Sequence, residues 1–162
     1  MSRFSAKDFV GVIPALVTSF DQEGNLDEAR QRNAVRFLLD KGVHGLYLTG
    51  STGEGFLMTP EERQQVVEVV IDEVKGRVPV IVHVGAIGTK ISTDLARHAE
   101  RAGADAISSV PPFYWKFSED QMFNYYRDIT RSVDVPMIVY NIALAGAVGF
   151  SFIKRLATIP GV

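Results

Sequence analysis

The sequence predicts a parallel α/β protein, and three observations carry that prediction. Short apolar runs begin near residues 12, 44, 79, 105 and 136 of a 162-residue chain. Each is followed by a segment whose apolar residues recur at helical spacing, the alternation that right-handed βαβ crossovers produce. The run from Val78 to Val84 is almost continuously apolar, as a strand covered on both faces requires.

In order, Val10 to Phe20 reads as a first strand, with Pro14 placing a bend or an unpaired position inside it. After a polar turn at Gly24, Asn25 with Glu28 forms a candidate capping pair. Ala29, Ala34, Val35, Phe37, Leu38 and Leu39 then make a helical stripe that stops at Gly42. The second strand starts at His44. Its helix has the clearest start signal in the chain: Thr59 caps, Pro60 takes the first helical position and Glu62 completes a capping box. Val66, Val67, Val70, Ile71 and Val74 supply the apolar face before Gly76. The third strand, Val78 to Val84, leads to a helix from Thr89 to Arg101 closed by Gly103. The fourth strand, Asp105 to Val110, ends in Pro111-Pro112, and Ser118 with Gln121 opens a helix carrying Met122, Phe123, Tyr126 and Ile129. A fifth strand spans Pro136 to Tyr140 and a last helix Phe150 to Thr158, after which Pro160-Gly161-Val162 reads as the approach to a sixth strand.

Composition narrows the function classes. With 46% hydrophobic and 22% charged residues, positions 1–162 are expected to form a single domain with its own core. A net charge of -2 offers no basic surface for a polyanion, so no nucleic-acid partner is expected. The absence of cysteine removes disulfides, thiolate metal sites and a Cys nucleophile, and suits a reducing compartment. Met1 to Asp8 is short and polar, unlike a signal peptide, and no apolar run approaches the roughly 20 residues a membrane span needs. The expected location is cytoplasmic, with no membrane partner. His44, His83 and His98 share no ligand spacing and read as structural or exposed rather than as a metal site.

The stretch with chemical content is His44 to Glu54. An apolar run stops at Gly50 and Gly53, which bracket Ser51 and Thr52. That places two hydroxyls at the C-terminal end of a buried strand, where parallel α/β folds bind ligands. The glycines admit an anion close to backbone N–H groups, and the hydroxyls add donors for a carboxylate or phosphate. The same residues serve equally as a plain strand-to-helix turn, with Glu54 as a first-turn acid favoured by the helix dipole. Periodicity also leaves two architectures open: a five-stranded doubly wound sheet of the flavodoxin kind, or part of a (β/α)8 barrel, which takes about 250 residues when complete. Against the first stands the acidic turn Asp21-Gln22-Glu23-Gly24, which repels a phosphate after the first strand.

Four ordered motifs decide between them. Gly50-Ser51-Thr52-Gly53-Glu54, Ile81-Val82-His83-Val84-Gly85, Pro112-Phe113-Tyr114-Trp115-Lys116-Phe117-Ser118 and Ile138-Val139-Tyr140-Asn141-Ile142 together resemble the N-acetylneuraminate lyase and dihydrodipicolinate synthase family. The resemblance runs over essentially the whole chain. It leans toward the lyases through Ser51, His83-Val84-Gly85 and the stretch from Phe113 to Ser118. It implies a (β/α)8 barrel and pyruvate-dependent class I aldolase chemistry, in which a lysine condenses with pyruvate to a Schiff base that serves as electron sink. No separate cofactor is implied. The substrates implied are pyruvate and an aldehyde or sugar acid, with dihydrodipicolinate synthase activity as the alternative. Gly50, Ser51, Thr52 and Gly53 resemble the family's carboxylate clamp, Tyr140 its proton-relay tyrosine, and Tyr114 a tyrosine that reaches a neighbouring subunit's site in the family's oligomers. By residue type alone, Tyr140 reads more readily as a strand-end aromatic with its hydroxyl in solvent, and Tyr114 with Trp115 as a rim or interface contact.

Two departures shape the expectation. The family's Schiff-base lysine belongs to the sixth strand, and Val162 precedes it; Lys154, beside Arg155 in the last helix, reads as a solvated amine and no substitute. Ala143 stands where the family usually has proline, so the turn through Ala143-Leu144-Ala145-Gly146-Ala147 is expected to be reshaped. The expectation is thus a partial barrel of five parallel βα units, lacking turnover by itself. Open sheet edges would drive it to associate with a second copy. The opposing expectation is a non-catalytic barrel fragment or engineered scaffold whose property is self-association.

Overall fold

The computed structural model describes residue 4, residues 6–143 and residues 146–162. Four parallel strands alternate with five α-helices: α1 (Glu28–Asp40), β1 (Leu46–Leu48), α2 (Pro60–Val74), β2 (Val80–His83), α3 (Thr89–Ala102), β3 (Ala106–Ser109), α4 (Glu119–Thr130), β4 (Met137–Val139) and α5 (Phe150–Leu156). The sheet order is sequential, with Leu46 opposite Val80, Ile81 opposite Ala106 and Ile107 opposite Met137. A curved parallel sheet in sequential order with helices on its outer face is the wall of a (β/α)8 barrel.

Because successive strand residues point to opposite faces, Leu46, Leu48, Val80, Val82 and Ile107 meet the helices. There they join Val35, Val66, Val70, Leu95, Tyr126 and Ile129 in one buried core. Tyr47, Ile81, His83 and Ser108 face the other way, into the barrel interior. Two capping boxes form as their sequences dictate. Thr59 accepts from Glu62 N–H while Glu62 accepts from Thr59 N–H, and Ser118 and Gln121 do the same. α3 ends at Gly103, whose φ of 104° closes the helix in the left-handed region.

Two sequence expectations about these elements are corrected. Val10 to Phe20 is not a regular strand: it touches the sheet through a single parallel bridge, Ala15 to Tyr47. The segment lies along β1 by way of His44 N–H to Val12 O (2.8 Å), Tyr47 N–H to Pro14 O (3.0 Å) and Leu16 N–H to Tyr47 O (2.9 Å). Pro14 has no N–H to offer an outer neighbour, and Gly11 turns with φ 88°, which interrupts the ladder. The regular sheet therefore has four strands where five were expected. Second, α1 is capped by Asp27, whose side chain accepts from Arg30 N–H, and not by Asn25. Asn25 is held in the preceding turn, its N–H donating to Asp21 Oδ1 at 2.8 Å. As expected, α2 ends before Gly76, closed by Lys75 with φ 51°. The remaining strands and helices lie where expected, their ends shifted by one or two residues. In the turn after Tyr140, Leu144 and Ala145 lie outside the described residues, as do Met1–Arg3 and Ser5 of the N-terminal stretch.

Candidate active site

The loop after β1 is built around backbone that ordinary residues resist. Thr49, a β-branched residue, adopts φ 53°, and it stays there because its hydroxyl donates to His83 O at 2.9 Å. From that point the chain folds tightly on itself. Gly55 N–H donates to Gly50 O (3.0 Å), Glu54 N–H donates to Ser51 O (3.1 Å), and the Thr18 hydroxyl donates to Gly53 O (2.7 Å). The loop glycines are required by close approach. A Cβ on Gly50 would sit 2.7 Å from the Tyr47 ring, and one on Gly53 would sit 2.8 Å from Leu16 O. Glu54 is a turn residue with φ 57°, well ahead of α2, so it is not a first-turn acid of that helix.

This loop forms one wall of a cleft of about 300 Å³ at the C-terminal ends of the strands. Ser51 and Thr52 line it together with Tyr47, Ser108 and Tyr140, over an apolar floor that includes Ile13 and Ile138. Ser51 and Thr52 are exposed to it, while Gly50 and Gly53 are buried behind them. Tyr140 is 43% exposed and edge-on to Tyr47, the ring centroids 6.3 Å apart. The Tyr47 hydroxyl donates to Ser108 Oγ (3.1 Å), which donates to Ile138 O (2.9 Å). Burial pushes the Tyr47 phenol up to about 12, so it stays a neutral donor.

Beneath the cleft, His83 is 1% exposed and packed edge-on by Phe56. Val110 N–H donates to its Nε2 at 3.3 Å, which leaves the proton of the neutral ring on Nδ1. Burial, reinforced by Arg63, pulls this imidazole down to about 3 and keeps it uncharged. Arg63 reaches from α2 over the ends of the strands, donating to His83 O (2.6 Å) and Gly85 O (3.1 Å). The following loop is held by Tyr125, whose hydroxyl accepts from Ala86 N–H (3.2 Å) and lies 2.9 Å from Ser92 Oγ and 3.0 Å from Ser109 Oγ.

The structure therefore brings Ser51, Thr52 and Tyr140 to one cleft, keeps Gly50 and Gly53 buried behind it, and leaves Tyr114 outside it. Tyr114 is 80% exposed, has φ 77° and stacks edge-on against Trp115. Lys154 lies on α5 with its amine 5.3 Å from the Phe150 ring centre, and is not among the cleft residues. Sequence reasoning missed Thr49, Tyr47, Ser108 and Arg63, and took His83 as a motif residue with a structural or exposed side chain, which the structure buries. Arg63 did leave a signal, since it continues the apolar stripe of Val66, Val67, Val70 and Val74 at helical spacing. A charge on that stripe has to be buried.

Among the described residues, no group of histidines or carboxylates is placed to hold a metal ion, and no helix is long and apolar enough to cross a membrane.

Residues 8–162 match the model of the dihydrodipicolinate synthetase family. The chain is 46% identical over 160 residues to an N-acetylneuraminate lyase of Citrobacter koseri, covering 97% of this chain and 54% of that protein. Among solved structures it superposes on the catalytic lysine mutant of Ruminococcus gnavus sialic acid aldolase with a TM-score of 0.93 at 34% identity, covering 100% of this chain and 53% of the other. It also superposes on YagE from E. coli, a prophage protein of the dihydrodipicolinic acid synthase family solved with pyruvate. That match has a TM-score of 0.90 at 36% identity, over 93% of this chain and 51% of that one. The chain thus spans about half the length of the relatives it matches and belongs to the dihydrodipicolinate synthetase family.

Proposed function

We propose that these residues, as one domain spanning 1–162, carry the pyruvate clamp and proton relay of an N-acetylneuraminate lyase type aldolase, a carbon–carbon lyase acting in the cytoplasm. The observation that carries this reading is the convergence of Ser51, Thr52 and Tyr140 on one small cleft at the strand ends. A carboxylate laid against the two hydroxyls and the amides of the Gly50–Gly53 loop gains charge-assisted hydrogen bonds. Tyr140 offers a phenol on the same cleft as donor and acceptor for the proton that moves when the carbon–carbon bond breaks or forms. In the cleavage that the family resemblance implies, a lysine amine condenses with the ketone of the sugar acid, releasing water. The resulting imine takes up the electron pair of the broken bond as the aldehyde departs. Protonation and hydrolysis later free pyruvate and the lysine from the enamine that cleavage leaves.

The cleft is lined by no lysine of the described residues. The 162 residues by themselves are therefore expected to bind pyruvate without turnover. Intact mass after incubation with pyruvate and borohydride tests this, because reduction freezes any Schiff base as a stable adduct. An unmodified mass is expected. One stoichiometric adduct would mean that a lysine in this chain has been recruited and that the chain is itself a catalyst.

The second reading is a barrel fragment that works by self-association. The first segment exposes Val10 at 64%, Val12 at 62% and Val17 at 53% along the open side of the sheet, and Tyr114 and Trp115 project from the rim. Such a patch favours a second copy as homo-oligomeric partner. A monodisperse monomer in light scattering, with no binding of a dye for exposed apolar surface, rules this pairing out.

A further inference from the structure

Arg63 is a buried cation that no acid neutralises. Its residue is 4% exposed, and it makes no ion pair among the described residues. Among the described residues its hydrogen bonds go only to backbone carbonyls, at the end of β2 and in the loop beyond, and its Nε–H has no acceptor. Elsewhere the arginines behave ordinarily: Arg36 pairs with Glu73, and Arg155 with Asp120. Burying a guanidinium without a carboxylate is costly, and removing that cost by mutation to an apolar residue is open to any sequence. A role that uses the charge accounts for what stability does not.

The position says what that role is. Arg63 and Thr49 donate to the same acceptor, His83 O, at 2.6 and 2.9 Å. Thr49 is the strained residue from which the loop carrying Ser51 and Thr52 springs. The cleft itself holds no charged side chain, only hydroxyls, rings and aliphatic groups. We propose that Arg63 is the electrostatic positioning residue of the carboxylate clamp: its unneutralised charge, one layer behind the loop, supplies the positive field for an α-keto carboxylate that the cleft lacks. The carbonyls of His83 and Gly85 fix the guanidinium without cancelling its charge. The same two bonds tie α2 to β2, so the field source and the loop are held by one acceptor. The residues between Arg63 and the loop, Thr49 and His83, are buried, so the charge is screened less through them than through water and acts beyond contact distance, which hydroxyl dipoles do not. Burial pulls the guanidinium down only to about 10, so it remains cationic at neutral pH.

This inference rests on the pyruvate-clamp reading, and the test separates the two. Pyruvate and its uncharged amide, pyruvamide, are titrated by NMR into the unsubstituted chain, Arg63→Lys, Arg63→Met and Thr52→Val, with each variant first checked for cooperative unfolding. Pyruvate is expected to bind Arg63→Met about tenfold more weakly. Pyruvamide should bind it unchanged, and Arg63→Lys should recover most of the loss. A merely structural arginine would affect both ligands alike. If Arg63→Met folds and binds pyruvate as the unsubstituted chain does, the inference is overturned while the clamp stands. If Arg63→Met does not fold, Arg63→Lys decides: pyruvate lost in the same proportion as pyruvamide overturns the inference, and pyruvate retained supports it. If the unsubstituted chain shows no pyruvate-dependent shifts, the clamp reading and the inference fall together.

Discussion

Tyr47 and Ser108, 61 residues apart in sequence, meet hydroxyl to hydroxyl at 3.1 Å across the interior of the half-barrel. Ser108 passes the bond on to Ile138 O, so β1, β3 and β4 are tied by one chain of donors. Removing the middle member costs more than removing the end. Ser108→Ala is expected to destabilise by about 1 to 2 kcal/mol, because it strands the Tyr47 hydroxyl, whereas Tyr47→Phe leaves Ser108 its carbonyl and costs less. Urea unfolding of the two variants measures the order, and a larger loss for Tyr47→Phe would contradict it.

Gly50 and Gly53 differ in what stands against them. A methyl on Gly53 meets the carbonyl oxygen of Leu16 and the amide of Thr49, which are backbone, while one on Gly50 meets the Tyr47 ring. Gly53→Ala is expected to cost about 1 to 3 kcal/mol and to exceed Gly50→Ala, since a ring can tilt and a paired backbone cannot. Thermal melts of both variants rank them.

Thr52→Val keeps the shape of the clamp and removes one hydroxyl. Pyruvate binding should weaken by about 1.5 to 3 kcal/mol, the range for a hydrogen bond to a charged group. Unchanged affinity in the same titration would show that the carboxylate sits elsewhere.

His83 makes stability depend on pH in a window of its own. Its folded pKa, about 3, lies below the unfolded value of 6.5, so between these the unfolded chain binds the extra proton. Stability therefore rises with pH through that window and is lost as pH falls below about 6.5, by on the order of 1 kcal/mol between pH 7.5 and 5.5. His83→Gln should flatten this segment of the curve, measured by urea midpoints at the two pH values. An unaltered slope would mean that another group carries it.

The βα alternation, both capping boxes and the placing of the Ser51 and Thr52 hydroxyls at a strand end were legible because each is written locally. Hydrophobic period, Ser or Thr three residues before Glu or Gln, and glycine around Ser51 and Thr52 are features of neighbouring residues. The first segment was misread for a related reason. Val10 to Phe20 has strand composition, and only its one-sided placement beside β1, with Pro14 and Gly11 breaking the ladder, shows that it forms a single bridge.

What the sequence determined alone was the order of elements and the residue types at the strand ends. It named Ser51, Thr52 and Tyr140 without showing that they share a cleft. Tertiary structure decided the second layer: Tyr47 to Ser108, Thr49 and Arg63 on one carbonyl of His83, and the imidazole sealed beneath. Those pairings join residues 20 to 61 positions apart. No local pattern encodes them, because hydrogen-bond geometry and burial are set only once the strands lie in register.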